Sequence, residues 1–169
     1  TGPGAGITRD AVHVDWEFGG RQLRLVDTAG LRRKAKVVNY IERMAVEDTL
    51  RAIRLAQVVV MVIDGETLFE KQDLTIAGHI ADEGRAMVIA VNKWDLVKDK
   101  EATLDELRHQ LATQLAQVRD IPVVTISAIK GQRVDKLMQA VLDVYNLWNH
   151  RIGTGKLNRW LRGMEEQNP

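Results

Sequence analysis

Residues 86–95 read Ala-Met-Val-Ile-Ala-Val-Asn-Lys-Trp-Asp, an apolar run that ends abruptly in a polar quartet. A run this short and rich in Val and Ile suits a strand buried on both faces of a parallel sheet. In open α/β sheets, ligands gather beyond the carboxyl ends of such strands, so Asn92, Lys93 and Asp95 stand where chemistry is expected. Two more runs share the pattern, residues 58–63 upstream and 121–126 downstream. The second carries Pro122 near its start, where a missing N–H is tolerated.

Helical spacing fills the gaps between these strands. Leu74, Ala77 and Ile80 predict a helix ending near Gly84. Leu104, Leu107, Leu111, Leu115 and Val118 form the clearest apolar stripe, and Val134, Leu137, Met138, Val141, Tyr145 and Trp148 form another. Upstream, Val46, Leu50 and Ile53 predict a helix. Residues 11–18 and 22–26 alternate apolar and polar on either side of Gly19-Gly20, the signature of a β-hairpin. Strands alternating with helices imply an α/β fold with a mostly parallel sheet, to which the hairpin adds an antiparallel edge. Gly153-Thr154-Gly155 marks a boundary, and Leu157, Trp160, Leu161 and Met164 begin a new amphipathic helix. The expected division is therefore a main domain over residues 1–152 and the start of another over 153–169.

Composition narrows the class. The chain has 169 residues, with 24 Lys and Arg against 23 Asp and Glu, so no bulk charge draws it to nucleic acid or lipid. Hydrophobic residues at 45% exclude a disordered or fibrous chain. No apolar run is long enough to span a bilayer, so no membrane partner is expected. There is no cysteine, which removes disulfides and thiolate metal sites and is compatible with the cytosol. The four histidines, at 13, 79, 109 and 150, lack metal-ligand spacing and read as structural or surface residues.

Three clusters follow predicted strands. Asp27-Thr28-Ala29-Gly30 offers a carboxylate that can hold Mg²⁺ through water and a glycine that lets a backbone N–H approach a phosphate. The same residues also suit a plain strand end and tight turn. Asn92-Lys93-Trp94-Asp95 suits base selection. The Asp95 carboxylate can accept from both N1–H and the exocyclic amine of guanine, a donor pair that adenine lacks. Asn92 can tie the loop together and reach the base, and the aliphatic stem of Lys93 can lie across the ring. A solvated polar loop is the competing reading. Ser127-Ala128-Ile129 offers a small residue whose backbone N–H can face a carbonyl such as guanine O6, though a strand-capping turn would look the same.

Taken in order, the three clusters resemble the G3, G4 and G5 motifs of translation-factor-like GTPases, and Gly6-Ile7-Thr8-Arg9-Asp10 resembles the switch I segment. Thr1-Gly2-Pro3, DTAGLRRKAKV, DTLRAIRLAQVVV, EKQDL, VIAVNKWDLV and LNRWL extend this to a resemblance over the whole chain. It is similar to the second G domain of the bacterial double-GTPase Der (EngA) family, followed by the start of a KH-like domain. That resemblance implies a P-loop NTPase-like G domain using GTP or GDP with Mg²⁺, in a cytoplasmic GTPase acting in assembly of the large ribosomal subunit, with rRNA as partner. It implies guanine contacts from Asn92, Lys93, Asp95, Ser127 and Ala128, γ-phosphate contacts from Thr8 and Gly30, and Mg²⁺ ligation by Thr8 and Asp27.

The chain departs from that pattern in two places. Nothing matches G-x-x-x-x-G-K-[ST], the loop that wraps the α- and β-phosphates, and Gly153-Thr154-Gly155-Lys156 has the wrong spacing. In the family this loop and its strand lie just upstream of Thr1. Their absence predicts weak GTP binding by this chain alone and two strand edges facing a gap, filled by rearrangement, by strand exchange in a dimer, or by upstream residues. Leu31 follows the G3 glycine where many small GTPases place a water-orienting Gln, so no catalytic residue is assigned. Relatives with a hydrophobic residue there use other groups or a monovalent cation such as K⁺. The basic cluster Arg32, Arg33, Lys34 and Lys36 falls in the segment corresponding to switch II, suited to rRNA phosphates or to a solvated loop. A rival class is a non-catalytic G-like module that docks on rRNA or protein.

Overall fold

The computed structural model describes residues 13–26, 49–115, 118 and 120–167. Strands β1 (His13–Phe18) and β2 (Arg21–Val26) pair antiparallel, from His13 opposite Val26 to Phe18 opposite Arg21. Gly19 and Gly20, with φ of +59° and +74°, form the two-residue loop, whose left-handed backbone matches the strand twist. The turn docks on the last helix of the main body. Arg21 Nη1 donates to Asn146 Oδ1 at 2.8 Å, and its guanidinium lies 5.9 Å from the Tyr145 ring centre.

Helical residues 49–55 form the described part of α1, which leads into β3 (Val58–Asp64). Then come α2 (Lys71–Asp82), β4 (Ala86–Asn92), α3 (Lys100–Gln114), β5 (Val123–Thr125), α4 (Val134–Trp148) and α5 (Thr154–Gln167). The three later strands make a parallel sheet in the order β3-β4-β5. Local signals fix the helix starts: Asp99 caps α3 by accepting from Ala102 N–H at 3.0 Å, and buried Asp73 accepts from Glu70 N–H at 3.1 Å at the start of α2.

β4 is the spine of the core, and its alternation serves two layers. Met87, Ile89 and Val91 face Ile53, Met61, Ile63, Ala77, Ile80, Leu107 and Leu115. Val88 and Ala90 face Val124, Ile126 and Leu137 on the other side. Burial of each large aliphatic side chain contributes about 1.5–3 kcal/mol, so β4 is the costliest strand to disturb.

The structure corrects three boundaries. β3 is not buried on both faces: Met61 and Ile63 are, but Val60 and Val62 are 36% and 47% exposed. The reason is position, since β3 pairs only with β4 among the described residues, and the layer on that face centres on β4 and β5. The leucine stripe does not stay helical to Val118. Leu115 leaves the helix at φ −124°, ψ 37° while its N–H still reaches Leu111 O, and its side chain is buried in the core. The run over residues 121–126 yields only three strand residues, and Pro122 contributes its carbonyl to Ile89 N–H at 2.9 Å.

Both the antiparallel hairpin and the parallel sheet are present, but among the described residues they are separate sheets. No helix of the described residues is long and apolar enough to cross a membrane.

Candidate functional site

Parallel register brings the carboxyl ends of the strands level, with Asp64 opposite Asn92 and Val91 opposite Thr125. Two polar loops meet there because backbone bonds lace them together. Ile126 N–H donates to Val91 O at 2.8 Å and Trp94 N–H to Ile126 O at 3.0 Å. The Asn92 side chain completes the lacing: its Oδ1 accepts the Ala128 N–H at 3.0 Å. Asn92 thus ties the loops as its sequence context suggested, and the Ala128 N–H expected to face a base carbonyl is engaged by Asn92. Beyond Ser127 the chain closes on itself through reciprocal bonds with Gln132, with Gly131 at φ +61° taking the left-handed bend.

Asp95 sits inside this enclosure. Its side chain is 10% exposed, and Oδ2 lies 3.1 Å from Lys130 Nζ. Oδ1 and the neighbouring Ser127 Oγ are both buried without a hydrogen-bond partner. The Ser127 hydroxyl, then the Lys130 ammonium, hold the Asp95 carboxyl below its ordinary range. Buried polar atoms without partners are uncommon in a folded interior, and among the described residues Arg85 Nε and Gln110 Oε1 share this condition.

Lys93 has a left-handed backbone, φ +60°, and its Nζ lies 2.5 Å from Asp64 Oδ2. The Asp64 carboxylate holds the lysine pKa above its usual value. Asp64 Oδ1 accepts the Glu66 N–H at 3.0 Å, and the intervening Gly65 donates to Asn92 O at 2.8 Å. The turn after β3 is therefore part of the site.

Of the residues expected from the sequence, Asn92, Lys93, Asp95, Ser127 and Ala128 come together on this one edge. Thr8, Asp27, Gly30, Leu31 and the basic cluster Arg32–Lys36 lie outside the described residues. Among the described residues, no group of three His, Asp or Glu side chains suits a metal ion. Sequence reasoning missed Asp64, Gly65 and Lys130. Asp64 ends its apolar run just as Asn92 ends the next, and that parallel was the available signal.

A carboxylate suits the edge of a base that presents two adjacent N–H donors, as guanine does and adenine does not. Guanine would reach Oδ2 by displacing Lys130, an exposed side chain able to swing into water.

Comparison with known proteins identifies the family and the fold. The family model described as the elongation factor Tu GTP binding domain matches residues 4–146. The chain is 53% identical over its full length to GTPase Der of Brucella melitensis biotype 2, and 52% identical to GTPase Der of Bartonella henselae. It spans 35% and 36% of those proteins. The fold is also that of Era in complex with MgGDPNP and nucleotides 1506–1542 of 16S ribosomal RNA, at TM-score 0.65 and 22% identity over 85% of this chain and 47% of that one. A probable GTP-binding protein, engB, superposes at TM-score 0.64 with 18% identity, covering 83% of this chain and 84% of its own. The resemblance to Der drawn from the motifs is met by these relatives, and the α/β G-domain fold by the solved structures. The chain belongs to the family of the elongation factor Tu GTP-binding domain.

Proposed function

We propose that this chain is the guanine-reading part of a Der-type GTPase, a cytoplasmic factor in assembly of the large ribosomal subunit. The observation that carries the reading is the Asp95 carboxylate, held beside Ser127 and Lys130 at the end of β4 in a loop pair locked by Asn92. Asp95 takes the two guanine donors, Ser127 and Asn92 hold the carboxylate and the loops in place, and the stem of Lys93 lies along the ring. Ala128, at the end of the Asn92 bond, keeps the second loop close to the base.

On the phosphate side, Thr8 and Gly30 meet the γ-phosphate, and Thr8 and Asp27 hold Mg²⁺. The cation neutralises phosphate charge when it is bound. With Leu31 after the G3 glycine, hydrolysis relies on other groups, with K⁺ as the monovalent ion suited to the intact family domain. GTP orders the segments around Thr8 and Gly30, and hydrolysis releases them, so the protein acts as a switch toward an rRNA partner. Residues 153–169 begin a KH-like domain. Without a phosphate-wrapping motif in its 169 residues, this chain alone binds GTP weakly, mainly through the base.

The test is an amide NMR titration with GDP and ADP at millimolar concentration, on the parent chain and on Asp95→Asn. Shifts at Asn92–Asp95 and Ser127–Ala128 with GDP, absent with ADP and weakened about tenfold or more by Asp95→Asn, are the expected result. Equal responses to GDP and ADP, or none to either, would leave the docking-module reading in its place.

A further inference from the structure

Asp64 belongs to none of the motif clusters, yet it holds Lys93, the lysine whose stem is read above as lying along the base. It closes β3 at the level of Asn92, one residue short of Lys93 on the neighbouring strand end. Its two carboxylate oxygens have different tasks. Oδ1 takes the Glu66 N–H at 3.0 Å, which fixes the plane of the group on its own turn. Oδ2 is then presented to Lys93 Nζ.

The lysine is constrained from both ends. Its backbone is left-handed, its amino group is held by Asp64, and the flanking Asn92 is bonded through its carbonyl to Gly65 and through its side chain to Ala128. A lysine with 51% of its side chain exposed would otherwise sample many rotamers, and ordering it would fall on the binding step. Asp64 itself is only 26% exposed, so the anchor is the less mobile partner. Glu66 adds a second negative charge near the same ammonium.

We propose that Asp64 is a positioning residue for base binding: it pins the Lys93 ammonium so that the methylene stem stands ready as a surface for guanine. The inference rests on the guanine reading above. Asp64→Asn keeps an oxygen for the Glu66 N–H and removes the charge that attracts Lys93, so the turn survives while the anchor is lost.

Five chains decide the matter: the parent, Asp64→Asn, Lys93→Met, both changes together, and Asp64→Glu as the rescue. The readouts are GDP affinity by NMR titration, ¹³Cε relaxation of Lys93 without ligand, and the thermal midpoint. Asp64→Asn is expected to free the Lys93 Cε and to weaken GDP about two- to fivefold, as suits a half-exposed ion pair. The same change in the Lys93→Met background is expected to do almost nothing, and Asp64→Glu is expected to restore part of the affinity. Unchanged GDP affinity in Asp64→Asn, or an equal loss with and without Lys93, overturns the proposal while leaving the base site intact. A parent chain that shows no GDP-dependent shifts overturns the guanine reading and this inference with it.

Discussion

Gly65→Ala is the substitution that most directly asks whether the turn after β3 and the Asn92 loop form one unit. An added Cβ would lie 2.8 Å from Val97 Cγ2, 3.0 Å from Asn92 O and 3.4 Å from Val91 Cγ1. Carbon contacts settle near 3.5–4.0 Å, so something must move by roughly 0.5–1 Å. Val97 is only 8% exposed and has little room, and Asn92 O is backbone that already accepts the Gly65 N–H at 2.8 Å. Overpacking of this kind costs about 1–3 kcal/mol, and the lower unfolded-state entropy of alanine offsets about 0.4–1 of it. The net loss of about 1–2 kcal/mol corresponds to a fall in Tm of roughly 2–8 °C for a chain of this size. Gly78→Ala is the matched control: within α2 its Cβ meets nothing within 4 Å, and the change is expected to stabilise by about 0.5–1 kcal/mol. Thermal melts by circular dichroism give the first readout. Amide shifts at Asn92, Lys93 and Ala128 give the second, because the displaced turn carries the Asn92 carbonyl with it. A Gly65→Ala chain that melts at or above the parent temperature, with those amides unmoved, would refute the reasoning.

Two further outcomes follow from burial and charge. Leu107→Ala removes a side chain 1% exposed at the centre of the larger core cluster, and denaturant unfolding should show a loss of about 2–5 kcal/mol; a loss below about 1 would mean that α3 does not pack as described. The Ser127 hydroxyl and the Lys130 ammonium favour the charged form of Asp95, so its folded pKa lies below the ordinary 3.8. Folding therefore gains from this group above about pH 3.8 and loses that gain as pH falls through the folded value. A ¹³C carboxyl titration with a midpoint at or above 3.8 would contradict the described surroundings of Asp95.

How much of this could be read beforehand depended on whether a signal was local. The β4 run and its polar quartet were legible because a doubly buried strand must be apolar throughout and its ligand end need not be. The hairpin was legible because two glycines between alternating runs leave the backbone few choices. Val60 and Val62 misled, since a valine on an open face looks the same in sequence as one in the core. Leu115 misled in a different way: it is buried as expected, but it ends the helix rather than continuing it. In the site, Asn92, Asp95 and Ser127 were visible as motif letters. Asp64 and Lys130 were not, because their places are set by strand register and by the closure of a distant loop.

The exposed valines of β3 have a consequence for how the protein behaves in the tube. Residues 58–63, Val-Val-Val-Met-Val-Ile, carry no charge, proline or glycine, the composition of segments that stack into dry intermolecular sheets. In the fold, one side of this strand is saturated by β4, and Asp64 stands as the single charge at its downstream end. Partial unfolding that lifts β3 from β4 would expose both sides at once. Loosening β3 from β4 is therefore expected to lower solubility at high concentration, which light scattering on a chain destabilised in β3 would show.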